Sequence, residues 1–356
     1  MSSGQLGNGS NEEEFNPQRA QSPPPHTTFE ARGIHPPTFS ALKPRDYRMP
    51  GQQSFSHIAW NCDGKKLAAV GVDKITRIWN PDKSIEPRSA AQYAGGHSDD
   101  VDYISWNPTH PDLFCTSSQR DRRIVFWDAR QSRYTQSCSL KQFPLQTAYH
   151  PNGRELLYTT AGNQMFFLKL DKDTPESKES WKIVPGMSTA ATHAIWNNAG
   201  TGIITKYNGS SAYRALPYPA LEPPFKTAAA HVAGVQALAL DPRGRYLATG
   251  GGDSIVNLFD LTDWICARTI ISCEHSVNSL SFSHDGEYIA IASEGSYIEI
   301  CATETAAPLH RVPAPAPAPV VAWHPSRYVM AYCGQNSSRE GGGPPVTTIS
   351  MFGLME

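Results

Sequence analysis

The amino-acid sequence predicts an all-β fold: a seven-bladed propeller whose N-terminal strand closes the last blade, preceded by a disordered tail. Three observations carry that expectation. First, from about residue 54 one unit recurs seven times: an apolar alternation, a polar turn, a second apolar run, a tight turn and a third alternation. The first alternations end at Trp60, Trp106, Tyr149, Trp196, Leu240, Phe282 and Trp323, at spacings of 46, 43, 47, 44, 42 and 41. Second, Trp79, Trp127, Leu168, Leu216, Phe259 and Cys301 follow the first six of these by 19, 21, 19, 20, 19 and 19 residues. Third, the seventh unit supplies only three strands, while the segment before the first unit has no blade of its own.

A period of ~40–50 residues belongs to propeller blades and is too long for ankyrin or leucine-rich repeats. Alternation at period two within each segment argues strands, which excludes paired-helix repeats of similar length. Composition agrees. The chain has 29 Pro and 27 Gly in 356 residues with 18% charged, a turn-rich rather than helix-rich balance. Lys+Arg 31 against Asp+Glu 33 gives a net charge of -2, so nucleic acid could be held only by a local patch. No apolar run approaches the ~18–20 residues of a membrane helix, and MSSGQLGNGSNEEEF lacks the basic-then-apolar pattern of a secretory signal. The seven cysteines, Cys62, Cys115, Cys138, Cys266, Cys273, Cys301 and Cys333, show no paired spacing, so they read as reduced thiols and not as a disulfide frame or zinc knuckle. A soluble intracellular protein is expected.

Taken in chain order, residues 1–40 are rich in Pro, Gln and Ser and poor in apolar side chains, so they are expected to be disordered. The propeller is expected over 41–356. Residues near 42–49 are expected to pair with the terminal strand and clasp the ring shut, since an open propeller leaves a strand edge free to aggregate. In the seventh unit NSSREGGGPP lengthens the turn before the third strand, placing Phe352 29 residues beyond Trp323.

The second unit, GGHSDDVDYISWNP through RDRRIVFWDAR, and the fifth, AAHVAGVQALALDP with GGGDSIVNLFDL, resemble the WD40 family. In that family an Asp in the b–c turn accepts a hydrogen bond from a His before strand a, which a Ser or Thr links to the strand-c Trp. The resemblance implies such networks at His97, Asp121 and Trp127, with Ser117 or Ser118 as the hydroxyl, and at His231, Asp253 and Thr249. Asp73 and Trp79 hold the matching positions of the first unit, which lacks the Gly-His start. A His–Asp–hydroxyl grouping also resembles a hydrolase triad. Its recurrence at repeat spacing favours a buried hydrogen-bond network, since buried polar groups must satisfy one another. No phosphate loop, nucleophile elbow or zinc-helix motif is present, and GGGDS lies between two strands of a unit, so no catalytic, cofactor or metal residue is assigned.

Within the WD40 proteins the chain resembles the THO complex subunit 3 family. HSDDVDYISWNPTHPDLF, AIWNNAG, YPALEP, DPRGRYLATGGGDSIVNLFDLTDWIC, SVNSLSFSHDGEYIAIASE, VAWHPSRYVMAY, the Ser-Arg-Glu insertion and MFGL carry the resemblance. It implies a nuclear, non-enzymatic scaffold of the THO/TREX assembly, docked on large helical subunits and serving mRNP biogenesis and mRNA export. It implies no cofactor, membrane or small-molecule substrate. A rival reading is a peptide-recognition propeller of a ubiquitin ligase or chromatin complex, using Arg120, Arg122 and Arg123 in a b–c turn. On the opposite face Lys65, Lys66, Arg154, Arg243 and Arg245 in a–b turns, with Arg130 and Arg133, form a candidate partner or weak RNA contact, against the plainer reading of solvated turns.

Overall fold

The computed structural model describes residues 27–50, 54–172, 174, 176–336 and 346–353. Seven four-stranded antiparallel sheets are arranged as blades. The innermost strands, a, are Phe55–Trp60, Tyr103–Trp106, Pro144–Tyr149, His193–Trp196, Val235–Leu240, Val277–Phe282 and Val320–Trp323. Each ends on one of the repeating residues that marks its unit. Those residues lie in a row across the sheet: Trp60 pairs with Leu67, which pairs with Trp79, and Trp106–Phe114–Trp127 repeats the arrangement. The row recurs in every blade, through Met330 to Phe352 in the seventh. The two spacings in the sequence are therefore neighbouring columns of one packed layer. A one-residue slip would turn each buried side chain to the opposite face.

The seventh blade is composite. Val320–Trp323, Val329–Asn336 and Val346–Gly353 are completed by Arg45–Met49 on the outside. The register runs from Arg45 opposite Met351 to Met49 opposite Thr347, and Ser350 donates to the Asp46 carboxylate at 2.6 Å. The expected clasp is thus formed by the expected segment.

The expected boundary of the unstructured tail at 40 requires correction. Residues 27–41 lie on the propeller, with short 3-10 turns at Glu30–Arg32 and Phe39–Ala41. Phe39 is 4% exposed and packs edge-on to Tyr288, Phe29 also meets Tyr288, and Arg32 pairs with Glu287 at 2.6 Å. Three well-placed side chains suffice to hold this stretch, and an average over forty polar residues conceals them. The tail up to residue 26 and the Ser-Ser-Arg-Glu insertion at 337–340 lie outside the described residues.

Two belts of hydrogen bonds join the blades. On the inner edge, the indoles of Trp60, Trp106 and Trp196 donate to Ala322, Ala59 and Ala148 of the preceding blade at 3.1, 3.1 and 3.0 Å. Below them, polar side chains just beyond strand a reach the next a–b turn. Asn61 donates to Pro111, Asn107 to Gly153, His150 to Gly200, Asn198 to Asp241, Arg243 to Gly286 and His324 to Gly64. Tyr328 closes the remaining junction on the Asp285 carboxylate at 2.6 Å. Gly64 shows why a glycine stands in such a turn: its φ is 73°, and a Cβ would lie 2.2 Å from the His324 ring.

Candidate functional site: buried networks, axial channel and loop faces

In the second blade His97 Nδ1 lies 2.9 Å from Asp121, His97 Nε2 lies 2.8 Å from Thr116 Oγ1, and the Trp127 indole lies 2.9 Å from that same oxygen. The indole can only donate and the carboxylate can only accept, so the chain of bonds has one consistent direction. Trp127 donates to Thr116, Thr116 donates to His97 Nε2, and His97 Nδ1–H donates to Asp121. Ser98 and Arg123 add backbone N–H donors to the carboxylate. Burial alone would raise the Asp121 carboxyl, but the His97 hydrogen bond, with these N–H groups, holds it below the ordinary carboxylate range. The hydroxyl is Thr116, which corrects the expectation of Ser117 or Ser118. One extra residue in the turn moves Asp121 along the chain, and Ser118 accepts the Asp121 N–H instead at 3.4 Å.

The fifth blade repeats the link with one member fewer. His231 bridges Asp253 at 3.0 Å and Thr249 at 2.9 Å, while strand c presents Phe259, which has no donor. Burial opposes ionisation of Asp253, yet the Val232 N–H and His231 hold its carboxyl low. The first blade departs from both. Asp73 pairs with Arg77 at 2.5 Å, and the Trp79 indole donates to the Glu86 carbonyl at 3.1 Å, so among the described residues no hydroxyl joins these two. Thr116 and Thr249 are fully buried, so neither hydroxyl can meet a substrate.

The seven strands a enclose an axial cavity of about 560 Å³. Three residues before each row-ending side chain stand His57, Tyr103, Gln146 and His193 on one side, and Ala237, Ser279 and Val320 on the other. The channel is therefore lopsided, narrowed by rings and an amide in blades one to four and roomy beside blades five to seven. Gln146 bridges Ala194 through both its amide atoms at 3.0 Å, and the His57 and Tyr103 rings stack with centroids 3.8 Å apart. Burial pushes both imidazoles down to about 3, with Lys206 and His57 adding repulsion at His193.

These imidazoles give the propeller an acid-sensitive centre. The unfolded chain binds their protons below about pH 6.5, whereas the folded chain refuses them until about pH 3, so stability is complete above 6.5 and is lost as pH falls. The channel is wide enough for water, which retains part of their hydration and roughly halves the effect. The pair is expected to cost about 3 kcal/mol between pH 6.5 and 4.5. Asp121 and Asp253 follow the opposite rule of depressed carboxylates: their contribution persists until the pH falls below about 4. Urea denaturation at pH 7.5 and 4.8 checks this, and a His57→Gln/His193→Gln variant should show a much flatter profile. An unchanged slope in that variant would refute the assignment.

The charged turns are less free than their sequence suggests. On the a–b face Lys66 pairs with Asp112 at 2.8 Å, Arg154 with Glu179 at 2.7 Å and Arg130 with Asp128 at 2.6 Å. Arg243 meets Asp241 at 3.1 Å and Glu287 at 2.8 Å, and Arg245 meets Glu304 at 2.7 Å. Lys65 and Arg133 are exposed. On the other face Arg120 lies between Asp99 at 3.7 Å and Asp100 at 3.5 Å, the Arg122 guanidinium covers the Phe143 ring, and Arg123 is exposed. Several of these carboxylates belong to the adjoining blade or to outer strands, so local sequence does not reveal them. Sequence reasoning also missed an apolar groove of about 760 Å³ between the fourth and fifth blades. Its one visible trace was Phe225 and Trp264 lying in consecutive c–d connections.

Comparison with known proteins agrees with this architecture. Residues 46–80, 91–128, 223–260 and 264–300 match the family model for the WD domain, G-beta repeat. The fold is similar to the crystal structure of the Cps50 (Swd1) β-propeller domain of Myceliophteria thermophila, with TM-score 0.69, 16% identity and coverage of 87% of this chain and 100% of that one. The chain is 27% identical over 329 residues to WD repeat-containing protein AAC3 of Dictyostelium discoideum, covering 86% of this chain and 67% of that protein. It is 33% identical over 301 residues to THO complex subunit 3 of Arabidopsis thaliana, covering 84% of this chain and 92% of that protein. A likeness of this degree, over 84% of this chain and 92% of that protein, shows that the chain belongs to the THO complex subunit 3 family of WD40-repeat propellers.

Proposed function

We propose that this propeller is a non-enzymatic scaffold subunit of a THO/TREX-type assembly in the nucleus, held by large helical subunits and coupling transcription to mRNP biogenesis and mRNA export. The observation that carries the reading is the 33% identity to a THO subunit over 84% of the chain. The physical form supports it. A ring closed by its own first strand and belted between blades is a rigid disc, and its two loop faces can hold separate partners at fixed distance. The His–Asp–Thr groupings are spent on holding blades together. RNA contact is a lesser part of the proposal, left to exposed side chains such as Lys65 and Arg133, because most of the other basic turn residues already face carboxylates.

Affinity purification of the tagged full-length chain from nuclear extract, with and without ribonuclease, tests the reading by mass spectrometry. Recovery of the other THO subunits in both samples is the expected result. Loss of those subunits on ribonuclease treatment would make RNA the tether. Recovery of a cullin or a chromatin-modifying complex in their place would favour the peptide-recognition alternative built on Arg120, Arg122 and Arg123.

A further inference from the structure

The groove between the fourth and fifth blades brings several features together. Its floor is apolar, formed by Leu240 and Leu261 and overlooked by Trp264 and Phe225, whose rings meet edge-on at 5.4 Å. Phe225 is 54% exposed, an unusual position for a phenylalanine unless something covers it. Trp264 adopts a left-handed φ of 61°, in a c–d turn that Leu221 and Ala306 repeat in the fourth and sixth blades, and this turn sets its ring beside Phe225. Tryptophan and arginine side by side are also the residue types that dominate binding energy at protein interfaces.

The charges in the groove have one sign. Arg243 and Arg245 line it, and among the described residues that do so none is Asp or Glu. The carboxylates that partner these guanidiniums, Asp241 of the fifth blade and Glu287 and Glu304 of the sixth, do not line the groove. Arg245 is only partly satisfied: Nη1 lies 2.7 Å from Glu304, but Nε and Nη2 are shielded from water and have no acceptor. A buried N–H without an acceptor is costly, so a shift of the Arg245 side chain toward a carboxylate seated in the groove would be favoured.

We propose that this groove is a peptide-docking site for an acidic, apolar segment of a partner protein, with a large apolar side chain seated against Phe225 and Trp264 and a carboxylate directed to Arg245. Complementarity of charge selects the acidic segment over a basic one, and the apolar floor selects against a purely polar acidic run. The inference does not require that the partner be a THO subunit.

The test uses the full-length protein and fluorescein-labelled decapeptides. One alternates Asp with Leu and Phe, a second carries Lys in place of each Asp, and a third carries Ser in place of Leu and Phe. The first is expected to bind saturably with a Kd below about 100 µM, a weak but specific affinity, and the other two at least roughly tenfold more weakly. Phe225→Glu places a like charge at the groove mouth and should weaken the first peptide about tenfold. Val232→Glu, at a residue 95% exposed on the other face, should leave its affinity unchanged. Melting temperatures equal to the parent show that both variants fold. Equal affinity for the acidic and basic peptides, no saturable binding of the first, or full binding by Phe225→Glu overturns the proposal. A protein that fails here yet still recovers THO subunits from nuclear extract leaves the assembly reading intact.

Discussion

Removing residues 1–50 should give a melting temperature roughly 10 °C below that of a protein lacking only residues 1–26, and should produce an aggregating protein. The difference follows from what each deletion takes away. Deletion to residue 50 removes Arg45–Met49, leaving Val346–Gly353 with its outward N–H and C=O groups unpaired from Thr347 to Met351. It also uncovers the site of Met49, which is 5% exposed in the core between the seventh and first blades. A handful of ladder hydrogen bonds at about 1 kcal/mol each, with a buried methionine worth about 2–3 kcal/mol, accounts for the shift. The open strand edge is a template for pairing with a second molecule, which accounts for the aggregation.

A deletion to residue 42 separates the clasp from the segment that precedes it. It keeps the Arg45–Met49 strand but loses the Phe39 and Phe29 contacts with Tyr288 and the Arg32–Glu287 pair. Its expected place is between the other two, monomeric but less stable by about 3 kcal/mol, the usual cost of removing a buried aromatic side chain. Differential scanning calorimetry with light scattering on the three truncations checks the order. If the 1–50 deletion melts with the 1–26 deletion and remains monomeric, the ring is not held by its first strand.

What was legible in the sequence is whatever the fold repeats. Trp60 and Trp79, or Trp106 and Trp127, keep step because each pair flanks one residue of strand b in a single packed row. Any drift would break that row, so the pairing survives even in the seventh blade, where an insertion lengthens the spacing to 29 residues. Contacts made once were not legible. Phe29, Arg32 and Phe39 are single anchors within polar surroundings, invisible to composition. Glu287 and Glu304 reach Arg243 and Arg245 across a blade boundary, some 40 to 60 residues along the chain, so the apparent basic patch was read without its counter-charges. The belt of side chains beyond strand a lay between these cases. A polar residue follows most of the row-ending residues, and a glycine follows in the turn, but only the ring geometry shows that the two belong to different blades.

The same distinction between repeated and single features yields a sharp expectation for the blade networks. Thr116→Val in the second blade should cost about 3 kcal/mol, and Thr249→Val in the fifth only about 1–2 kcal/mol, although both hydroxyls are fully buried. Removing Thr116 Oγ1 strands two groups, the His97 Nε2 acceptor and the Trp127 indole donor. Removing Thr249 Oγ1 strands His231 alone, because Phe259 brings no donor to the link. Trp127→Phe converts the second blade to the chemistry of the fifth, so in that background Thr116→Val should fall to the Thr249→Val cost. The resulting coupling of about 1 kcal/mol is measurable by urea denaturation of the two single variants and the double variant. Equal costs for Thr116→Val and Thr249→Val, with no coupling to Trp127, would mean that the indole is held by packing alone and that the relay from tryptophan to aspartate contributes nothing to blade stability.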